Sequence, residues 1–185
     1  MTSAADAVDD AGKRARAAAE LVDVLDDRGK VIGTAERREV RANNWWHRSV
    51  FITVVTSDDE VIVHQRAPWK DVWPSRWDVC FGGVVDAGED WREAAVRELA
   101  EEAGVAVGAD DLEDLGEDRY EDSLVREVSR LYLVRSDGPF AFDDGEVVAS
   151  DRVPRAELAA WAAGHELVTD SRDMMIHRLI PGDAP

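Results

Sequence analysis

Glu98, Glu101 and Glu102 stand at i, i+3 and i+4, and on a helix that spacing points three carboxylates from one face toward a common point. Three like charges so placed call for a counter-cation. Ligation by carboxylate oxygen alone suits a hard ion such as Mg2+ or Mn2+, and a helix holds those oxygens more rigidly than a loop would. Arg97, four residues before Glu101, is placed to pair with a carboxylate and orient it. A charged helix with i,i+4 pairs is also an ordinary solvated surface, and the helix alone does not separate the two readings.

The segment before the helix separates them. Gly82-Gly83-Val84-Val85-Asp86-Ala87-Gly88-Glu89, with Arg97-Glu98-Leu99-Ala100-Glu101-Glu102-Ala103-Gly104-Val105, resembles the Nudix box at every specified position. That box is a glycine, a glutamate six residues on, then Arg-Glu-apolar, Glu-Glu, glycine and a closing apolar residue. The resemblance implies an α/β chain with the Nudix fold, an α/β/α sandwich around a mixed β-sheet. It also implies a metal-dependent enzyme that splits a diphosphate bond in a nucleoside di- or triphosphate or a related compound. By the same resemblance Glu98, Glu101 and Glu102 hold Mg2+ (or Mn2+), Glu89 assists, Arg97 locks the carboxylate geometry, and Gly82 and Gly83 lie where the box holds the diphosphate. The ion would neutralise phosphate oxygens and make a water easier to deprotonate, and a carboxylate would take the proton. Glu101, Glu102 and a loop glutamate, Glu146, are the candidates for that last role.

Upstream, Gln65-Arg66-Ala67-Pro68-Trp69-Lys70 through Trp73-Pro74-Ser75-Arg76-Trp77 looks like the isopentenyl-diphosphate isomerase branch of the superfamily, in which residues matching Arg66 and Lys70 contact the diphosphate. Two positions depart from that branch. The isomerase cysteine would fall at Gly82 and its box histidine at Val84, while Cys80 is two residues early, about 7 Å along an extended strand. Cys80 reads as a buried core thiol, and His47, which matches an isomerase metal ligand, as a structural histidine entering a strand. Hydrolysis is therefore the expected chemistry, with isomerase-like activity and a non-catalytic ligand-binding regulator as the alternatives.

The elements that position these residues are legible in outline. Leu21–Leu25 and Val31–Gly33 flank the turn Asp26–Gly29, and Arg48–Val55 and Glu60–His64 flank Thr56–Asp59, giving two hairpins. Prolines and three tryptophans between Arg66 and Trp77 predict a structured loop in which the rings pack. Ala95, Leu99 and Ala103, spaced by four before Gly104, predict a helix over Asp90–Ala103. Val125–Val134 and Glu146–Val153 read as further strands, and the stretches after Pro154 and Thr169 as two closing helices. Residues 1–20 read as a poorly ordered extension and 21–185 as the catalytic domain.

At 185 residues, 45% hydrophobic, the chain can bury one core. Its net charge of −18 argues against a nucleic-acid surface, and makes a local cationic patch necessary for any polyanionic substrate. A single cysteine forms no intrachain disulfide and suits the cytoplasm. With no apolar run long enough to cross a bilayer, the expected partners are a small-molecule diphosphate and, as a candidate assembly, a second copy of the chain.

Overall fold

The computed structural model describes residues 11–180 except 13 and 144; much of the expected N-terminal extension, residues 1–10 and 13, lies outside these. Strands β1 (Leu21–Leu25) and β2 (Val31–Glu36) form the first hairpin, followed by a short helix, α1 (Arg37–Asn43). β3 (Trp46–Val55), β4 (Glu60–Arg66) and the two-residue β5 (Trp77–Asp78) precede the box helix α2 (Trp91–Ala103). Then come β6 (Glu113–Glu121), β7 (Arg126–Arg135), β8 (Val147–Pro154), α3 (Leu158–Ala163) and α4 (Thr169–Leu179).

The eight strands form one mixed sheet. β3 and β7 run parallel in unbroken register from Trp46 beside Arg126 to Val55 beside Arg135, while the other strand pairs are antiparallel. The β3–β4 hairpin opens at once, since these strands pair only through Val55 and Val61. β4 instead runs beside β8. Into the gap beside β3 comes the segment 81–86, joined by Phe81 N–H to Ile52 O (2.9 Å) and Val50 N–H to Gly83 O (2.9 Å).

Alternation along the central strands builds a core on each face. Val50, Ile52, Val54, Tyr132 and Val134 pack under Ala94, Ala95, Leu99 and Ala103 of α2. Phe51, Val55, Leu131 and Leu133 pack against Leu158, Met174, Met175 and Leu179 of α3 and α4. Helices therefore cover both faces of a mixed sheet, the α/β/α sandwich that the resemblance implied.

α2 starts and stops as its sequence directs. Asp90 caps it by accepting from Arg92 N–H at 2.9 Å, where a carboxylate also meets the positive end of the helix dipole. Gly104, at φ 67°, turns left-handed and returns its N–H to Ala100 O, a conformation that costs glycine little. α1 and β6 were not among the elements expected from the sequence. α1 is short, with Val40 its one buried side chain, so its hydrophobic periodicity is too brief to read. β6 is an acidic strand whose side chains are mostly exposed or half-buried, and it depends on β7 for its hydrogen bonds.

Candidate active site

The turn at Gly82–Gly83 fixes the floor of the site. Gly82 has φ 142°, and a Cβ there would lie 2.0 Å from Val50 O, so the backbone passes β3 at a distance only glycine permits. At Gly83 a Cβ would meet the Glu98 carboxylate at 2.8 Å. Two adjacent glycines thus let the strand and the glutamate face of α2 come together. Gly82 N–H is left pointing at α2 and donates to Glu102 at 2.9 Å.

Arg97 organises the near side. Its Nε and Nη2 donate to both oxygens of Glu89, at 2.9 and 2.8 Å, and its Nη1 donates to Glu98 at 2.7 Å. The two-pronged bond to Glu89 matches the planar fork of the guanidinium. Glu89 also accepts from Asp86 N–H at 3.1 Å, so its oxygens are engaged in holding the loop and Arg97. Behind it Arg48 donates to Glu89 O at 3.0 Å and to Asp23 at 2.9 Å, and Asp23 accepts from Gly88 N–H at 3.1 Å. The loop before α2 is thereby tied to β1 and β3.

The three helix glutamates do not meet at one point as their spacing suggested. Glu102 is buried, Glu98 is half-buried and Glu101 is exposed, touching Arg97 at 3.5 Å on the solvent edge. Among the described residues no three acidic, histidine or cysteine side chains converge closely enough to hold an ion as they stand. Three carboxylates without a counter-charge repel, and each here goes to its nearest donor instead. Their chemistry nonetheless fits a hard divalent cation. Burial pushes Glu98 up to about 7 and Glu102 well above the usual carboxylate range, because each carboxyl has lost water that would solvate its charge.

Glu146, just before β8, closes the far side. It is ion-paired with Lys70 and hydrogen-bonded to Glu102. Although burial works against it, Lys70 draws the Glu146 carboxyl below its ordinary value. Lys70, Glu146, Gly82, Gly83 and the helix glutamates line one cleft of ≈ 380 Å³. Arg66 stands deeper, donating to Val72 O at 3.3 Å and lying 4.0 Å from Asp78. The box residues, Lys70 and Glu146 are thus brought together, whereas Glu89 stands behind Arg97 and Arg66 lies to one side.

Sequence reading passed over part of this surface. Arg37 on α1, paired with Glu20 at 2.8 Å, lines the cleft too. Residues 14–18 lie over it as a helical segment, with the Arg14 guanidinium 5.9 Å from the Trp69 ring. Nothing local in the sequence marks Arg37 as different from its neighbours Arg38 and Arg41. Cys80 is buried, its thiol pushed up by burial and 3.2 Å from Thr53 Oγ1. His47 is buried in β3 with Nδ1 3.1 Å from Trp45 O, and burial holds it neutral, down to about 3. Trp73 and Trp77 pack edge-on against Tyr120 and Trp161, as the expectation of packed rings required.

The chain matches the Nudix domain family over residues 45–171. It is 36% identical over 152 residues to an uncharacterised Nudix hydrolase of Streptomyces coelicolor, covering 82% of this chain and 83% of that one. To the uncharacterised Nudix hydrolase YfcD of Escherichia coli it is 36% identical over 135 residues, 73% of this chain and 74% of that one. Among solved structures it superposes on DR0079 from Deinococcus radiodurans with a TM-score of 0.71 at 26% identity, covering 86% of this chain and 99% of that one. No helix among the described residues is long and apolar enough to cross a membrane. With the box on its helix and the sandwich around it, the chain belongs to the Nudix hydrolase family, and it is a hydrolase acting on pyrophosphate bonds.

Proposed function

We propose that the chain hydrolyses the diphosphate bond of a nucleoside di- or triphosphate or a related compound, with Mg2+ or Mn2+ held by Glu98, Glu101 and Glu102. The observation that carries this is the gathering of half-buried Glu98 and buried Glu102 with Lys70 and Glu146 in one cleft at the diglycine turn. If bound there, a divalent ion would neutralise phosphate oxygens and acidify a water. Glu101, exposed here, has only a 3.5 Å contact with Arg97 to give up in joining it.

The chain's own groups divide the remaining work. Arg97, fixed by Glu89, sets the orientation of Glu98 and is a positioning residue, as Glu89 is in turn. Lys70 and Arg66 supply the local positive charge that a chain of net charge −18 needs to hold a polyanion. Gly82 and Gly83 leave the backbone bare enough for a phosphate to approach. A phosphate oxygen that takes Lys70 from Glu146 removes the charge that keeps Glu146 ionised. Glu146 then gains affinity for a proton when the attacking water must lose one.

Hydrolysis is favoured over carbon-acid isomerisation by Gly82. A cysteine side chain there would collide with Val50 O, and Cys80, packed against Thr53 with its thiol pushed up, is a poor proton carrier. The test is a panel of nucleotide di- and triphosphates, dinucleotides, nucleotide sugars and prenyl diphosphates in Mg2+ and Mn2+, with products separated by mass and Glu98→Gln alongside. Metal-dependent cleavage that the substitution removes is the expected result. A prenyl double-bond shift, or tight binding without cleavage anywhere in the panel, would overturn it.

A further inference from the structure

Beside Lys70 the cleft adjoins a recess of ≈ 190 Å³. The two share Ala17, Arg37, Lys70 and Glu146, but the recess borders no residue of the box and neither glycine of the diglycine turn. The helical segment 14–18 walls it with Arg14, Ala17 and Ala18, and α1 with Arg37, Arg38 and Arg41. With Lys70, five cations face one small space against two carboxylates, Asp71 and Glu146, in a chain whose net charge is −18. Arg14, Arg38 and Arg41 have no part in the chemistry above.

The charges do not settle one another. Glu146 is taken by Lys70 and Glu102, and although burial works against it, Arg37, Arg41 and Lys70 together hold Asp71 below its ordinary value. Arg37 and Arg38 have partners outside the recess, in Glu20 and Glu36. Arg41 does not fare as well: its Nε and Nη1 are shut from solvent with no hydrogen-bond acceptor, as is Nε of Arg37. Arg14 is exposed at the rim, 5.9 Å from the centre of the Trp69 ring. Buried donors without acceptors are costly, and an anion in the recess would take them. A drug-sized organic group needs roughly 300 Å³ or more, so the space suits one compact anion, and phosphate oxygens match the planar fork of a guanidinium.

Resting on the diphosphate-hydrolase reading, we propose that this recess binds a phosphate carried on the organic group of the substrate, separate from the diphosphate that is cleaved. Arg37 and Arg41 supply the buried donors, and Arg14 and Arg38 add charge from the rim. A phosphate in line with the cleaved bond stays by the metal ion, which bridges neighbouring phosphates of a chain, and so belongs with the glutamates of α2. One seated where no box residue reaches is set apart from that chain by intervening atoms. An organic group without such a phosphate leaves the buried donors unmatched, so the recess selects against it. The segment 14–18, read from the sequence as part of a poorly ordered extension, thereby becomes a wall of the substrate site.

Nucleotides that differ only in one added phosphate test this. ADP and CDP are each compared with their 2′-phosphorylated and 3′-phosphorylated forms, and with ATP and CTP, by kcat/KM in Mg2+ and by calorimetry in EDTA. Wild type, Arg41→Gln and Arg14→Ala are used, each checked for folding by circular dichroism. Wild type is expected to favour a 2′- or 3′-phosphorylated form over its parent by about tenfold or more, and both variants to lose most of that ratio. If Arg41→Gln does not fold, Arg14→Ala, at an exposed position, carries the comparison. Ratios within about twofold in wild type by rate and by affinity, or a preference untouched in every folded variant, would overturn the proposal. So would a variant-sensitive preference for the triphosphates alone, which places a chain phosphate in the recess. Inorganic phosphate is titrated in EDTA beside them; binding that Arg41→Gln abolishes, with no preference among the nucleotides, would assign the recess to the free anion and overturn the proposal too. Tighter binding of a 2′- or 3′-phosphorylated form with no hydrolysis would leave this inference standing and sink the hydrolase reading, while hydrolysis with no such preference would do the reverse.

Discussion

Burial raises the affinity of Glu102 for a proton well above that of a free glutamate, so in the metal-free chain this side chain favours its uncharged form. Glu102→Gln then replaces a neutral carboxyl by a neutral amide of the same shape. Its metal-free unfolding midpoint should stay within about 1 kcal/mol of wild type, while kcat falls on the order of 10²–10⁴-fold and the rise in melting temperature with Mg2+ disappears. Thermal unfolding with and without Mg2+, beside a rate assay, checks all three; a large loss of metal-free stability would show that Glu102 is charged and paired as the chain folds. Arg97 is the converse case. Lysine cannot reproduce its fork onto Glu89, and because the Arg97 side chain is 29% exposed solvent screening limits the loss to about 1–2 kcal/mol. Arg97→Lys should therefore unfold at lower urea and also lose activity, since Glu98 is no longer held.

At the scale of the element, the segment 81–86 matters more than its irregular backbone suggests. It is the rail that sets α2 against β3, and Gly82 is the point of closest approach. Gly82→Ala places a Cβ 2.0 Å from a backbone oxygen that cannot rotate away, at a φ of 142°. A loss of at least about 3 kcal/mol is expected, from strain and displaced hydrogen bonds together, seen as a collapse of soluble yield or of the urea midpoint. A midpoint unchanged by the substitution would mean that the turn can relax. Legibility varied in the same way among elements. α2 was readable because its apolar spacing, N-cap and closing glycine lie within one stretch of chain. α1 and β6 were not, because one is too short to show a period and the other is acidic on both faces and exists by pairing with β7.

Across the whole molecule, acidic groups buried away from the box give stability a pH dependence. Glu127 is raised by burial from the ordinary 4.5 to about 7, so between those values the folded chain keeps a proton that the unfolded chain has released. Its contribution is fully present below pH 4.5 and lost as pH climbs through about 7, at up to about 1.4 kcal/mol per pH unit for each proton involved. Asp170, raised in the same direction, adds to the fall. Urea midpoints measured in EDTA from pH 5 to pH 8 should drop, and Glu127→Gln should flatten the curve; a flat wild-type curve would contradict this. The net charge of −18 acts over longer range. Self-repulsion weakens as salt screens it, so the melting temperature should rise with added NaCl at low ionic strength, and no change would indicate that local cations already balance the field.

The sequence by itself determined the family, the helix that carries the glutamates and the glycines that bring a strand against it, because each is written in residues close together in the chain. It also placed Lys70, Arg66 and Glu146 among the candidates, through resemblance at those positions. Only the tertiary structure decided which glutamates turn inward, that Glu89 holds Arg97, and that Lys70 pairs with Glu146 seventy-six residues away. The sequence offers Arg41 as a pocket-lining residue but not the company it keeps beside the cleft. Arg41, Ser49, Glu127 and Asp170 come from a short helix, two parallel strands and the last helix, and no spacing along the chain records that folding the sheet brings them around one space.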